Sequence, residues 1–278
     1  MGAAALWNVV KAWLLLLVFV ALFALLGYAI GDFRLAWVFA FGGLLFGLGT
    51  YVVADRALLG MIGARELPET ENRDLHATVA RLARRAGVGK PLVYVIPKGP
   101  PLALSTGRGI HASSIALTAG LIALPAPAEI EALIAHELAH VRRRDVVLQT
   151  AVVLVAAALV DVSRIGGFLE RALLFVLGPV AAALEHLFLS PKRELGADKL
   201  AADICESPHG LADALIRLEQ AVELVEFAAS PATEPLYTIN PFEEQGLAGM
   251  FASHPPVADR VRKLRDLDPD WRERLRAA

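Results

Sequence analysis

The sequence predicts a mainly α integral membrane protein: two hydrophobic helical hairpins attached to an α+β domain with a small β-sheet. Three observations carry this. The 278-residue chain is 56% hydrophobic and has a mean hydropathy of +0.52, more apolar than an average soluble domain. Two uncharged runs, residues 13–30 and 35–54, stand near the N-terminus, and each is about the roughly 20 residues a helix needs to cross a bilayer. Beyond them, helical and strand periodicities alternate among charged residues, the pattern of a domain in water.

The first two runs are separated only by Gly31-Asp32-Phe33-Arg34, so they form a hairpin with both ends on one side. Lys11 precedes the pair, Arg56 and Arg65 follow it, and the tip offers only Arg34 beside Asp32. The excess of basic residues at the open end places the N-terminus and everything after Asp55 in the cytoplasm. A cleaved signal peptide has a shorter apolar core of about 7–15 residues, and no second span would follow it at once.

Residues 55–145 read as water-exposed. Leu75, Val79 and Leu82 recur at helical spacing among Arg81, Arg84 and Arg85, and Gly87 ends that amphipathic helix. Residues 92–96, Leu-Val-Tyr-Val-Ile, form a strand. A Pro-Gly turn leads to a second strand over residues 102–106 and a third over 113–118. A helix begins near Ala128. A second apolar pair, 146–160 and 172–184, is flanked by Arg142, Arg143 and Arg144 before it and Lys192 and Arg193 after it. It is expected to be a second membrane hairpin, although its runs are shorter. The expected divisions are 1–55, the N-terminal hairpin; 56–145, the first part of the catalytic domain; 146–189, the second hairpin; and 190–278, the second part.

The net charge is −2, and no basic, aromatic-interleaved stripe points to nucleic acid. Cys205 is the single cysteine, which excludes an intramolecular disulfide and any Cys-rich zinc site.

The chemistry lies in the helix that contains His136-Glu137-Leu138-Ala139-His140. Residues four apart on a helix share a face, so the two imidazoles can bind one Zn²⁺ with bonds of about 2.0–2.1 Å. Glu137 is rotated by about 100° around the axis and can reach a water at the metal without being a ligand. Catalytic zinc usually has three protein ligands, and Glu194 is the candidate third. Asp198, one turn later, can accept the N–H of a ligand histidine. A structural zinc site in a non-catalytic membrane scaffold has no use for Glu137. A site-specific protease acting on prenylated C-termini would require an enclosed membrane chamber, for which about four spans at most are too few.

With these residues in view, the chain resembles the HtpX-like membrane zinc metalloproteases, relatives of the CAAX prenyl proteases. The resemblance rests on residues 136–141 with Asp145, on Arg193-Glu194-Leu195-Gly196-Ala197-Asp198, on Ser253-His254-Pro255-Pro256 followed by Arg260, and on Thr106-Gly107-Arg108. It covers nearly the whole chain. It implies a zincin-type α+β catalytic domain, one zinc at His136, His140 and Glu194, Glu137 as base, and Asp198 supporting a ligand histidine. It also implies an endopeptidase facing the cytoplasm that acts on membrane or misfolded polypeptides. His254 is then the candidate donor to the reaction's oxyanion, and Arg260 a partner for Asp198. The family's usual Asn-Ala-Phe-Ala before Thr-Gly is replaced here by Leu102-Ala103-Leu104-Ser105, the strand expected to receive an extended substrate. Of the remaining polar residues, His76 and His111 are expected in solvent, His186 near a helix end, and His209 in a loop. Asp145 is expected to cap a helix, and Arg142 to Arg144 either to face anionic lipid headgroups or only to be positive-inside flanks.

Overall fold

The computed structural model describes residues 3–165, 170–224, 230–242, 251 and 253–270. Two long helices, α1 (Ala3–Ile30) and α2 (Phe33–Met61), make the first hairpin. The Asp32 side chain caps α2 by accepting from the Arg34 and Leu35 amides. Among the described residues, these are the two helices long and apolar enough to cross a membrane by themselves. Trp13, Leu17, Leu25, Trp37 and Phe41 are exposed on them, a surface that only lipid or another apolar partner makes stable.

The rest of the described chain packs at the open end of this hairpin. Asn8 Nδ2 donates to Asp145 Oδ1 at 2.6 Å, and Lys11 Nζ donates to the Phe188 carbonyl at 2.8 Å. Next come β1 (Arg65–Glu66), α3 (Arg73–Ala86), β2 (Leu92–Ile96), β3 (Ala103–Gly109), β4 (Ala112–Thr118) and the single turn α4 (Ala119–Ile122). Asn72 caps α3, and a left-handed Gly87 closes it. The sheet order is β1-β2-β4-β3. β2 and β4 are parallel, while β3 and β4 form an antiparallel hairpin. Gly107 has φ +146°, and a Cβ there would lie 2.5 Å from the Ala112 carbonyl, so only glycine allows the tight pairing. β3 is an edge strand.

Helix α5 (Pro127–Arg143) lies under the sheet, and Ala132 to Val141 are all buried. Pro127 opens it at a position that needs no N–H, and a left-handed Arg144, φ 60°, ends it. α6 (Asp145–Ile165) follows directly, then α7 (Glu170–Phe188). α8 (Lys192–Cys205), α9 (His209–Val222), a 3₁₀ turn (Pro231–Leu236) and α10 (Val257–Arg265) complete the described chain. α6 buries Val146, Leu148, Val152, Val153, Ala156, Ala157 and Val160, whereas Phe175, Val176, Val180 and Leu187 of α7 are exposed. The tip joining α6 to α7, 166–169, lies outside the described residues.

The strand expected over 102–106 begins one residue later, at Ala103, because Leu102 gives its amide to the Thr118 hydroxyl at 3.0 Å. The two-residue β1 was not anticipated; a run that short carries no periodicity. His76, expected in solvent, is buried, with Nε2 2.8 Å from the Leu67 carbonyl.

Candidate metal centre

α5 and α8 together build the centre. His136 Nε2 and His140 Nε2 are 3.2 Å apart, and Glu194 Oε2 lies 3.4 and 3.6 Å from them. Three donors bound at about 2.0–2.1 Å to a tetrahedral ion sit about 3.3 Å from one another. The triangle is therefore one face of a zinc-sized tetrahedron, and its fourth corner has no protein ligand among the described residues. Glu194 Oε2 is fully buried and accepts no hydrogen bond, which is costly for a carboxylate without a cation. The donor set fits zinc.

The far sides of both rings are held by carboxylates. His136 Nδ1 faces Asp198 Oδ1 at 3.0 Å, and His140 Nδ1 faces Asp145 Oδ2 at 3.0 Å. Protons on the Nδ1 atoms leave the Nε2 lone pairs for the metal. Asp145 was expected to cap a helix; it instead orients a ligand histidine and also accepts from Arg143 Nε at 3.0 Å. Only its closeness to His140 in sequence could have revealed this. Arg142, expected to face headgroups with Arg143, donates to the Ala86 carbonyl. Both side chains thus serve the fold.

Charge is concentrated here. Burial would lower the basicity of His140, but Glu194 and Asp145 outweigh it and push the pKa up to about 10. Burial opposes ionisation of Glu194, yet the two imidazoles hold it well below the usual carboxylate range. Asp198 is likewise buried, and Arg260 brings it down to about 2. Arg260 is fully buried and bidentate on Asp198, Nε to Oδ2 at 2.8 Å and Nη2 to Oδ1 at 2.7 Å. Arg193 Nε lies 3.2 Å from Glu194 Oε1, orienting the other carboxylate oxygen.

Glu137 is buried beside the ligands and held by two hydroxyls. Ser105 Oγ donates to Oε2 at 2.7 Å, and Thr238 Oγ1 donates to Oε1 at 2.9 Å. Ser105, expected as part of a receiving strand, thus also contacts Glu137 through its side chain. His254 Nε2 is 3.9 Å from Glu194 Oε2, which places the ring at the edge of the centre. Its Nδ1 meets Glu234 Oε1 at 2.6 Å and its Nε2 the Tyr237 carbonyl at 2.8 Å. Both partners are oxygen acceptors, so they fix the ring's orientation from two sides. Glu234 was not foreseen. It also accepts from the Ser253 amide and hydroxyl, and no motif marks it in the sequence.

The family model for peptidase family M48 matches residues 69–268. The chain belongs to peptidase family M48. It is 34% identical over 275 residues to a protein named "Protease HtpX homolog" from Pelotomaculum thermopropionicum, covering 92% of this chain and 98% of that one. It is 37% identical over 265 residues to a protein of the same name from Pyrococcus abyssi, covering 89% and 91%. It is also similar to the crystal structure of S. mikatae Ste24p, with TM-score 0.48 and 18% identity over 95% of this chain and 66% of that one. As a member of this family with two apolar spanning-length helices, the chain is a membrane metallopeptidase with a centre able to hold a metal ion.

Proposed function

We propose that the chain is a zinc-dependent endopeptidase of the cytoplasmic membrane that cleaves membrane or misfolded polypeptides, with its site facing the cytoplasm. The convergence of His136, His140 and Glu194 on one tetrahedral face, with Glu137 adjacent on α5, is the observation that carries this reading. Zinc held by those three residues would supply a Lewis acid that polarises a scissile carbonyl and acidifies a water.

The chain's own groups do the rest. Glu137 takes the proton from the attacking water and returns it to the leaving amine. Ser105 holds that carboxylate in place from the sheet side. His254, oriented by Glu234, donates to the carbonyl oxygen as negative charge develops there. Asp198 and Asp145 hold the ligand rings, and Arg260 balances the charge of Asp198.

The edge of β3, Ala103 to Ser105, receives the substrate by backbone pairing, with Leu102 leading into it. Such pairing reads no side-chain sequence, which suits a quality-control protease. The basic residues at the open end of the first hairpin support the cytoplasmic orientation. The exposed apolar face of α7 supports membrane contact for the second hairpin.

The test is zinc stoichiometry and casein cleavage by the detergent-purified parent and by Glu137→Gln. Both are expected to retain about one zinc, and only the parent to cleave. Equal cleavage by the two proteins removes Glu137 from the mechanism.

A further inference from the structure

The receiving edge of β3 is already paired. Leu104 forms an antiparallel bridge with Tyr237, and the Thr238 amide donates to the Ala103 carbonyl at 3.3 Å. The paired segment leaves the 3₁₀ turn at Tyr237, whose backbone is extended, and the side chains of Leu236, Tyr237 and Ile239 are buried.

Its carbonyls are met by side chains that belong to the centre. The Pro235 carbonyl accepts from Gln149 Nε2 at 2.8 Å and from Arg193. The Tyr237 carbonyl accepts from His254 Nε2, and the Thr238 carbonyl from Arg260. The Thr238 hydroxyl sits on Glu137 Oε1, the carboxylate oxygen that Ser105 leaves open. An ordinary loop covers its carbonyls with backbone amides or water. Here, donors from α6, α8, α10 and the residue 253–256 segment converge on three carbonyls, those of Pro235, Tyr237 and Thr238, beside Glu137.

We infer that Pro235–Ile239 is a built-in pseudosubstrate, and that Gln149, Arg193, His254 and Arg260 are the donors that bind the main-chain carbonyls of an incoming substrate. The inference rests on the reading of β3 as the receiving strand. The substrate class follows from the mimic: an uncharged segment with bulky apolar side chains, extended where it meets β3 at Tyr237, as unfolded or membrane-derived polypeptides present. The pairing to β3 is short, one bridge and two 3.3 Å hydrogen bonds from the Thr238 amide and hydroxyl to the Ala103 carbonyl, against six registered pairs between β3 and β4. A longer incoming strand can therefore displace it, and closure of the segment restrains the enzyme when no such strand is present. The closed fraction reduces apparent affinity in proportion.

The test uses the full-length, zinc-loaded protein in detergent carrying Glu137→Gln, so that β-casein binds without being consumed. Amide exchange of residues 236–239 is expected to quicken at least about tenfold at saturating casein. A photoreactive β-casein is expected to label residues 102–106. Labelling there with 236–239 still protected overturns the pseudosubstrate and leaves the β3 reading intact. Labelling elsewhere removes the β3 reading, and this inference with it. In the otherwise unaltered enzyme, Pro235→Gly keeps every carbonyl contact but loosens the segment. It is expected to lower the KM for casein about threefold, with kcat within about twofold. An unchanged or raised KM also overturns the inference.

Discussion

Ser105 donates its hydroxyl to Glu137 across 2.7 Å, at the position where related proteases usually carry the last alanine of Asn-Ala-Phe-Ala. The contact gives the general base a donor fixed to the sheet, while Thr238 holds the other oxygen from a separate segment. Ser105→Ala removes one of two orienting hydrogen bonds, a loss of about 1 kcal/mol. The expected result is a kcat for casein cleavage lower by about three- to tenfold with KM unchanged. Steady-state kinetics checks this, and a rise in KM alone would assign Ser105 to substrate binding instead.

His254 and Glu234 act as a pair. His254→Ala removes the donor to the developing oxyanion, and kcat is expected to fall about 10²–10³-fold. Glu234→Gln keeps a hydrogen-bonding partner for the ring but loses the charge-assisted bond that fixes its orientation, and a loss of about tenfold is expected. Zinc content should stay at the parent level in both variants. A zinc-depleted His254→Ala would make the residue a support of the ligands, not a donor to substrate.

The legibility of these residues in the sequence followed the range of the interaction. His136, Glu137 and His140 declare themselves because a metal pair on one helical turn has a fixed spacing. Glu194 and Asp198 were readable only as a second i, i+4 pair that needed the first to give it meaning. The N-terminal hairpin was visible because membrane thickness sets its length. Glu234 and Thr238 carry no such mark: each meets its partner through tertiary folding, about 20 residues from His254 and about 100 from Glu137 in the chain. His76 was misjudged because its arginine-rich helix suggested solvent, while one face of that helix packs its ring against the Leu67 carbonyl. Asp145 was misjudged because a helix start offers a local explanation that hid the longer one.

Asp145 provides the next expectation. Its Oδ2 faces His140 Nδ1 at 3.0 Å, and removing the partner of a metal-binding histidine usually lowers metal affinity about 10–100-fold. Asp145→Ala should therefore release zinc to a chelator such as dipicolinate at proportionally lower concentration. The charge on Arg143, which also pairs with Asp145, is left facing the ring and adds to the loss. Affinity equal to the parent's would reduce Asp145 to a tie between α5, α6 and Asn8.

The Asp198–Arg260 pair links the centre to stability. Burial raises the carboxyl's pKa and Arg260 lowers it further than that, to about 2 from an ordinary 3.8. The folded value is the depressed one, so the contribution is complete above about pH 4 and is lost as pH falls from there toward 2. The difference of nearly two units corresponds to roughly 2 kcal/mol. Denaturant unfolding of the metal-free protein should show this loss between pH 4 and 2, and Asp198→Asn should show a shallower fall over the same window. At neutral pH, Arg260→Met and Asp198→Asn should each cost about 3 kcal/mol or more, because each removes one partner of a buried charge pair. If Asp198→Asn left stability at pH 7 unchanged, Arg260 would owe its burial to the Thr238 carbonyl and not to Asp198.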